Sequence, residues 1–401
     1  MRILVVSNIY PPVAFGGYEV ECSGVVERLA RSHEVCVLTS STDRSVPADG
    51  VRRELAFLSA DKRGALQAPA ASARAVASAR RALAWQPELI YCWNGSSIPQ
   101  AALRVFADSG IPLAFRVCEH WFGGLFVRDQ FLRELLPARR HSARAAWSLG
   151  CRAFNAARLQ LDPLAPVRAA ISWNAEALEQ MVPTPSFVEP VLERVGHSVP
   201  RYGDLYDEIV RAPAPDPEIV FLGRVTPYKG LKVAIEALAE LHVDVPAARL
   251  VVLGPEDQRH GAELRGLADR LGVGGLVRWE GQVSPEDAAA ALARAHALIV
   301  PSTWDEPFPL VTIEGALARV PLVASDVGGI SEGMADEEHA LLFARGDALG
   351  AAAALRRVLG ESEQTEARVR RAYARAQDFR IGPYLDAQER FVLDAHEAFA
   401  R

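Results

Sequence analysis

Apolar runs of about four to six residues recur along this chain, and between them apolar residues repeat at intervals of three and four. The runs predict buried strands, and the repeats predict amphipathic helices. In the first half the predicted strands are Ile3–Val6, Glu34–Thr39, Glu54–Leu58, Leu89–Trp93, Pro112–Val117 and Ala169–Ser172. Predicted helices between them include Tyr18–Arg31, Ser72–Ala84 and Pro99–Ser109.

The second half repeats this alternation of strands and helices. Its predicted strands are Glu218–Leu222, Leu250–Leu253, Val277–Glu280, Ala297–Val300 and Leu322–Ser325. Its predicted helices are Leu231–Leu241, Glu263–Leu271, Pro285–Arg294, one that begins near Leu310, and Tyr384–Ala400. Alternation of this kind predicts parallel sheets with helices on both faces.

A proline-rich run from Arg211 to Pro217 separates the two halves and can continue neither a helix nor a central strand. We therefore expect an α/β protein of two Rossmann-like domains that face each other across a cleft. The expected domains are residues 1–212 and 213–380, followed by a final helix at 381–401.

Composition narrows the class of protein. Half of the 401 residues are apolar, which suits a globular chain with two full cores, and no apolar run approaches the ~18–20 residues that span a bilayer. The net charge of −6 argues against a nucleic-acid partner. Five cysteines without CxxC spacing are expected to be reduced core thiols of a cytoplasmic protein: Cys22, Cys36, Cys92, Cys118 and Cys151.

The stretch from Pro301 to Gly329 reads strand, loop, helix and strand, with Glu306 in the loop and Glu314 one turn inside the helix. Four apolar residues spaced three and four apart are expected to form the buried face of that helix: Leu310, Ile313, Leu317 and Val320. Open α/β sheets bind ligands in loops at the carboxyl ends of their strands. The stretch therefore predicts a binding site.

The two carboxylates of this stretch are eight positions apart. A helix start offers unpaired N–H groups and a positive dipole end, which suit phosphate. A carboxylate in the first turns, such as Glu314, can accept hydrogen bonds from the vicinal hydroxyls of a ribose, and Glu306 can do so for another sugar. The spacing alone favours a solvated loop acid and a helix acid that complements the dipole, whereas the order of flanking elements favours a site.

A second pattern opens the second half, where Arg224 and Lys229 flank a turn between a strand and an amphipathic helix. Two cations at a helix start can clamp a pyrophosphate, arginine through paired hydrogen bonds and lysine as a point charge. The same spacing is also common on protein surfaces. After a later strand, the backbone of Gln282 and Val283 is placed to contact the edge of a base.

The motifs Pro301-Ser302, Glu306-Pro307-Phe308-Pro309-Leu310, Glu314-Gly315-Ala316 and Gly328-Gly329 resemble glycosyltransferase family 4. Members of that family are retaining nucleotide-sugar transferases with the GT-B fold. The resemblance covers nearly the whole chain, but prolines stand where the family usually has the glycines of Glu-Gly-Phe-Gly-Leu. Pro309 removes one N–H from the anion site, so Leu310 and Val311 are the expected phosphate donors.

The resemblance implies a role for each donor-side residue. Glu314 binds the ribose, Glu306 binds the donor sugar with Phe308 beside it, and Arg224 and Lys229 stabilise the departing pyrophosphate. No cofactor is expected beyond the nucleotide sugar itself. Because no Asp-x-Asp motif ends a strand, we expect the reaction to be independent of metal ions.

The resemblance also assigns residues in the first half. It implies that Gly16 and Gly17 face the donor phosphate, and that His120 lies beside the transferred sugar and completes the catalytic set of His120, Glu306, Arg224 and Lys229. In isolation, a Gly-Gly turn or a lone histidine is more often structural. Four further residues are candidates for contact with the acceptor: Glu19, Asn94, Glu119 and Trp121.

Residues 121–170 carry eight arginines against three acidic residues, with aromatic residues interspersed. This pattern is typical of solvated helix faces whose aromatic residues point inward. It also suits a groove for an anionic acceptor, or peripheral contact with acidic lipid head groups at the inner face of a membrane.

We therefore expect a transferase that moves a hexose-type sugar from a UDP- or GDP-linked donor to an acceptor hydroxyl. Two alternatives remain open: a GT-B sugar-nucleotide 2-epimerase or hydrolase, and a catalytically silent GT-B scaffold. A dinucleotide oxidoreductase is disfavoured, because no G-x-G-x-x-G follows any predicted strand. The base, the sugar and the acceptor are left open by the sequence.

Overall fold

The computed structural model describes residues 1–12, 17–40, 49–57, 62–95, 98–117, 167–173, 188–195 and 203–400. The chain forms two compact units, one made of Met1–Gly196 with Gly382–Arg401 and the other of His197–Ile381. The proline-rich run at 211–217 lies inside the second unit, after a short helix, α4 (Gly203–Asp207).

The first unit contains a seven-stranded parallel sheet with the order β3-β2-β1-β4-β5-β6-β7. Its strands are β1 (Arg2–Ser7), β2 (Glu34–Ser40), β3 (Val51–Leu55), β4 (Leu89–Asn94), β5 (Leu113–Val117), β6 (Val167–Trp173) and β7 (Val188–Val195). Strands β1, β4 and β5 are almost wholly buried apolar runs, as expected for central strands covered by helices on both faces.

The structure differs from the sequence-based prediction at two strands of this sheet. The strand expected at Glu54–Leu58 lies three residues earlier, at Val51–Leu55, because its pairing with β2 begins where Val51 lies opposite Val37. Strand β7 was not predicted. Its Pro190 interrupts the apolar pattern, and proline is tolerated there because β7 is the last strand in the sheet order.

The helices of the first unit are α1 (Gly17–Leu29), α2 (Lys62–Leu83), α3 (Gln100–Ala107) and α12 (Ile381–Ala400), of which the last includes Ile381 of the second unit. Helix α2 begins ten residues before the predicted Ser72, since its first turns lack the apolar repeat that marks a buried face. Helix α12 buries Tyr384, Phe391 and Val392 within this unit.

The second unit contains a six-stranded parallel sheet with the order β10-β9-β8-β11-β12-β13. Its strands are β8 (Glu218–Leu222), β9 (Arg249–Leu253), β10 (Val277–Gly281), β11 (Ala297–Val300), β12 (Leu322–Ser325) and β13 (Leu341–Phe343). The first five match the predicted strands within one residue at each end. Strand β13 was not predicted, because three residues are too short for a periodic signal.

After α4, the helices of the second unit are α5 (Leu231–His242), α6 (Gln258–Arg270), α7 (Pro285–Arg294), α8 (Leu310–Leu317), α9 (Ile330–Gly333), α10 (Ala348–Gly360) and α11 (Ser362–Ala376). Local capping sets several of their starts. The side chain of Asp257 accepts from two backbone N–H groups of α6, and Ser284 caps α7 just before Pro285. In the same way, Asp347 caps α10 by accepting from the N–H of Gly350.

Three of the five cysteines fall within the described residues, and Cys22, Cys36 and Cys92 are buried, free thiols. Burial raises the pKa of the Cys36 thiol above its ordinary value. Across the described ranges, we find no helix with the length and apolar character needed to cross a bilayer.

Candidate functional site

The site in the second unit is assembled from loops at one edge of its sheet. Because the strands of this sheet are parallel, the loops that follow them emerge at their carboxyl ends along the same edge. The predicted donor-side residues fall in three of these segments: after β8, after β10, and after β11, where the loop leads into the start of α8. This edge is the place where open α/β sheets bind ligands.

The segment after β8 contains a short 3-10 turn, Pro227–Lys229, which ends at Gly230 in the left-handed region with φ 71°. A Cβ atom on Gly230 would lie 1.8 Å from the carbonyl oxygen of Pro301, so glycine is needed for two loops to pass this closely. The N–H of Thr303 donates to the carbonyl of Tyr228 at 2.8 Å and ties the same loops together. This contact brings Lys229 to the residues that follow β11.

Lys229 and Glu306, 77 residues apart in sequence, form an ion pair. The Lys229 Nζ lies 2.6 Å from Glu306 Oε1, and the hydroxyl of Ser302 donates to the same oxygen at 2.5 Å. Glu306 is 3% exposed and Ser302 is fully buried. Two side chains of the protein therefore hold the carboxyl group of Glu306 in place.

The backbone around Glu306 is held by the two glycines that follow β12. The N–H of Gly329 donates to the carbonyl of Glu306 at 2.6 Å. A Cβ atom would lie 2.3 Å from the carbonyl oxygen of Glu306 if placed on Gly328, and 2.1 Å from that of Pro307 if placed on Gly329. The Gly-Gly pair thus lets the strand end pack directly against the loop that carries Glu306.

Glu314 lies in the second turn of α8, and Pro309, the N-cap residue before that helix, makes no side-chain capping hydrogen bond. The residue is half-buried, and desolvation of its carboxyl group raises its pKa to about 7. Leu310 and Val311, the predicted phosphate donors, are half-buried at the start of the helix. Leu310 was expected on the buried face and lies at its margin.

The buried face of α8 is tightly packed. Ile313 and Leu317 are fully buried, and a Cβ atom on Gly315 would lie 2.4 Å from a methyl carbon of Leu298 on β11. The ring of Phe308 is buried and packs against Phe379 with centroids 5.3 Å apart. The ring of Phe308, which was expected among the donor-binding residues, therefore packs in the interior and supports the loop that carries Glu306.

The remaining predicted donor residues lie at the surface of this edge. Arg224 is exposed, and in the part of the chain that the structure describes no carboxylate lies within ion-pair distance of it. Gln282 is exposed and Val283 half-buried just after β10. The adjacent turn is close-packed, since the N–H of Gly254 donates to the carbonyl of Gly281 at 2.6 Å.

In the first unit, the structure describes only some of the predicted residues. Glu19 is buried on α1, and Asn94 is buried at the end of β4, where its carbonyl accepts from the N–H of Asn8 at 2.8 Å. Gly17 is the first residue of α1. Five expectations fall outside the described residues: those for Gly16, Glu119, His120, Trp121 and most of the basic segment 121–170.

Two features of the site were not predicted from the sequence. One is Ser302, whose hydroxyl donates to the carboxylate of Glu306. The sequence signal that could have indicated this contact is a serine just after a strand, four positions before a glutamate. The other is the ion pair between Asp305 and Arg345, which links the loop after β13 to the loop of Glu306. No sequence signal marks that pair, because its partners are 40 residues apart.

Comparisons with known proteins agree with this architecture. Residues 204–375 match the family model described as glycosyl transferases group 1. The chain is 28% identical over 398 residues to a glycogen synthase of Mycobacterium tuberculosis, an alignment that covers 94% of this chain and 90% of the relative.

Solved structures with similar folds span the whole chain. Sucrose-phosphate synthase from Thermosynechococcus elongatus has a TM-score of 0.71 at 20% identity, covering 99% of both chains. Anabaena Alr3699/HepE in complex with UDP-glucose has a TM-score of 0.66 at 19% identity, covering 98% of this chain and 99% of that one. These likenesses confirm the predicted α/β GT-B fold, and together with the family match they support a glycosyltransferase.

Proposed function

We propose that this protein is a retaining glycosyltransferase of family 4 that moves a hexose-type sugar from a nucleoside diphosphate sugar to an acceptor hydroxyl. The observation that carries the proposal is the Lys229–Glu306 pair at the carboxyl edge of the second sheet, next to the start of the helix that bears Glu314. A cation, a helix start and two carboxylates in that order suit a pyrophosphate flanked by two sugars.

Each residue has a definite part in this proposal. Glu314 accepts hydrogen bonds from the ribose hydroxyls, and Glu306 accepts from a hydroxyl of the donor sugar. Arg224, Lys229 and the N–H groups of Leu310 and Val311 stabilise the charge that builds up on the departing pyrophosphate. Arg224 is exposed and carries no ion pair with the described residues, so it is available to a ligand phosphate.

The protein's contribution to catalysis is then mostly positioning and charge stabilisation. The acceptor attacks on the face that the nucleotide leaves, and the leaving phosphate accepts the proton of the acceptor hydroxyl. Because protein groups stabilise the charge on the leaving phosphate and that phosphate takes up the proton, the proposed mechanism requires no metal ion. We therefore expect full activity in excess chelator. Loss of activity that returns on adding Mg²⁺ or Mn²⁺ would contradict it.

A UDP-linked donor is favoured by the fold neighbour solved with UDP-glucose. The test is thermal stabilisation by UDP, GDP, ADP, dTDP and NAD, each at ~100 times a plausible Kd, where specific binding adds ~2.7 kcal/mol. We expect one nucleoside diphosphate to raise the melting temperature and NAD to leave it unchanged. No response to any nucleotide would overturn the proposal in favour of a silent scaffold.

A second assay separates the transferase from a sugar-nucleotide hydrolase or 2-epimerase. The nucleoside diphosphate that stabilises the protein identifies which nucleotide sugars to test as donors. Each of them is incubated with the protein in the absence of an acceptor. A transferase leaves the donor essentially intact until an acceptor is added. Rapid turnover of the donor alone would favour one of the two alternative enzymes.

A further inference from the structure

We infer that Ser302 is a positioning residue that orients the carboxylate of Glu306 toward the donor sugar. The inference rests on the proposed function and deepens it, because it states how the sugar-binding carboxylate is aimed. Its basis is the distribution of donors around Glu306. Both donors, the Lys229 ammonium and the Ser302 hydroxyl, reach Oε1, at 2.6 and 2.5 Å.

The second carboxylate oxygen is left for the ligand. Among the described residues, none places a donor within hydrogen-bond distance of Glu306 Oε2. Glu306 as a whole is 3% exposed, so its carboxylate is almost completely enclosed by protein. Two donors on one oxygen and none on the other make the carboxylate an acceptor with a defined direction.

Of the two donors, the serine is the one that sets this direction. The terminal torsion of a glutamate is broad and roughly two-fold, so a carboxylate turns easily unless it is held. A lysine ammonium is a point charge on a flexible chain, and it can follow either oxygen as the carboxylate turns. The Ser302 hydroxyl sits on a short side chain in a fully buried position and cannot follow.

Ser302 is itself fixed by its surroundings. Its carbonyl accepts a hydrogen bond from the buried hydroxyl of Ser325, at the end of β12, at 2.7 Å. The preceding residue, Pro301, is pressed against Gly230 by the contact described above. A chain of contacts thus runs from the end of β12 through Ser302 to Glu306, which is the arrangement that keeps a binding group within narrow geometric limits.

The experiment measures Kd for UDP and for UDP-glucose by calorimetry in the wild type and in Ser302→Ala. UDP lacks the sugar, so its affinity reports the nucleotide site alone. We expect Ser302→Ala to change the Kd of UDP less than twofold and to weaken UDP-glucose by roughly tenfold, the order expected for one hydrogen bond to a charged group. The same pairs are run with ADP and GDP and their glucose conjugates.

Ser78→Ala is the matched control. Ser78 is also buried, at 2% exposure, and its hydroxyl donates to backbone carbonyls, but it lies on α2 in the first unit. Its replacement should leave the ratio of the two dissociation constants unchanged. If Ser302→Ala weakens UDP and UDP-glucose equally, or neither of them, Ser302 is a structural residue and the inference is wrong.

A double-mutant cycle tests whether Ser302 acts through Glu306. If it does, adding Ser302→Ala to Glu306→Gln should cost little further affinity for UDP-glucose, because the oriented carboxylate is already gone. Additive losses would overturn the inference while leaving the proposed function intact. If the wild type binds none of the nucleotides or their conjugates, the proposed function fails, and the inference that rests on it fails with it.

Discussion

If Glu314 binds the ribose hydroxyls, as we propose, nucleotide binding should depend on pH. Desolvation raises its pKa to about 7, so near neutrality the carboxyl group is divided between its two forms. Ribose hydroxyls donate more strongly to the ionised form. We expect nucleotide affinity to rise with pH through about 7 and then to level off, as measured by calorimetry between pH 5.5 and 8.5.

Glu314→Gln should remove this pH dependence without unfolding the protein. At pH 8.5 it should weaken nucleotide binding by roughly 10- to 100-fold, the size of a lost hydrogen bond to a charged group. Glu263→Gln, at an exposed position on α6, is the control and should bind as the wild type does. An unchanged Kd in Glu314→Gln would rule out the ribose role.

The same pKa shift predicts a trend in stability. The folded pKa of Glu314 lies above its ordinary value of 4.5, so folding favours the protonated form. Its contribution to stability is complete below about pH 4.5 and is lost as the pH rises through about 7, by on the order of 1–3 kcal/mol. Urea unfolding at pH 5 and pH 8 should show Glu314→Gln gaining stability relative to the wild type at pH 8. An equal difference at both pH values would contradict the shift.

Arg224 allows a kinetic test that is free of folding effects, because its side chain is exposed. If the guanidinium stabilises charge that develops on the pyrophosphate, Arg224→Ala should lower kcat by roughly 10²–10³-fold and change KM for the donor much less. Arg259→Ala is the control, since that side chain is 89% exposed on α6. A raised KM with unchanged kcat would mean that Arg224 binds the donor equally well in the ground state and in the transition state, and so does not accelerate the chemical step.

At the scale of single residues, the sequence predicted the candidates but not their contacts. The predicted strand ends were accurate enough to place four candidate residues at one sheet edge: Arg224, Lys229, Glu306 and Glu314. The Lys229–Glu306 pair joins residues 77 positions apart, and no local pattern specifies such a pair. The raised pKa of Glu314 likewise depends on packing that only the folded chain provides.

At the scale of elements, two glycines with similar positive φ angles allow the cost of backbone strain to be measured apart from the cost of steric crowding. Gly230 and Gly272 have similar φ angles, 71° and 76°, but a Cβ atom on Gly272 would meet nothing within 4 Å. Gly272→Ala should therefore cost about 1 kcal/mol, the strain of alanine in that conformation. Gly230→Ala should cost about 3 kcal/mol or more, because it also pushes against the Pro301 carbonyl.

Chemical denaturation of the two variants measures this difference directly. Gly230→Ala should also weaken nucleotide binding, since the displaced loop carries Lys229, whereas Gly272→Ala should bind normally. Equal destabilisation of the two variants would show that the loop after β8 yields easily and that the close approach to Pro301 is not required.

Elements were predictable where the apolar pattern was unbroken and its ends were clearly marked. Strands β8 and β11 and helix α7 were predicted with the bounds that the structure gives them, because each combines a clear apolar pattern with defined ends. Strand β7 was missed, since Pro190 and charged residues break its pattern. Helix α2 was predicted too short for a related reason, since its early turns carry no apolar stripe.

At the scale of the whole molecule, α12 belongs to the core of the first unit. Its Phe391 is 1% exposed and contacts Tyr91 of β4 with ring centroids 6.0 Å apart, and Gln388 accepts from the Tyr91 hydroxyl at 2.7 Å. Arg28 of α1 forms ion pairs with Asp386 and Glu389 on the same helix. The first unit is therefore incomplete without α12.

Phe391→Ala should destabilise the first unit by about 3–5 kcal/mol, the usual cost of such a cavity. Hydrogen exchange resolved by peptide should show faster exchange in β1 and β4 and unchanged exchange in β8 and β11. Leu393→Ala is the control, because Leu393 lies on the same helix and is 38% exposed, so it should cost within about 0.5 kcal/mol. Equal acceleration in both sheets would mean that the two units unfold together.

The position of α12 in the chain also has a consequence for biosynthesis. The second unit, His197–Ile381, is continuous, whereas the first takes its last helix from beyond it. At ~5–20 residues per second, a ribosome needs on the order of 10–40 s to translate the intervening segment. During that interval the nascent first unit exposes the apolar surface around Tyr91 that Phe391 later covers. The second unit can thus finish folding while the first, although made earlier, still offers a binding surface to chaperones.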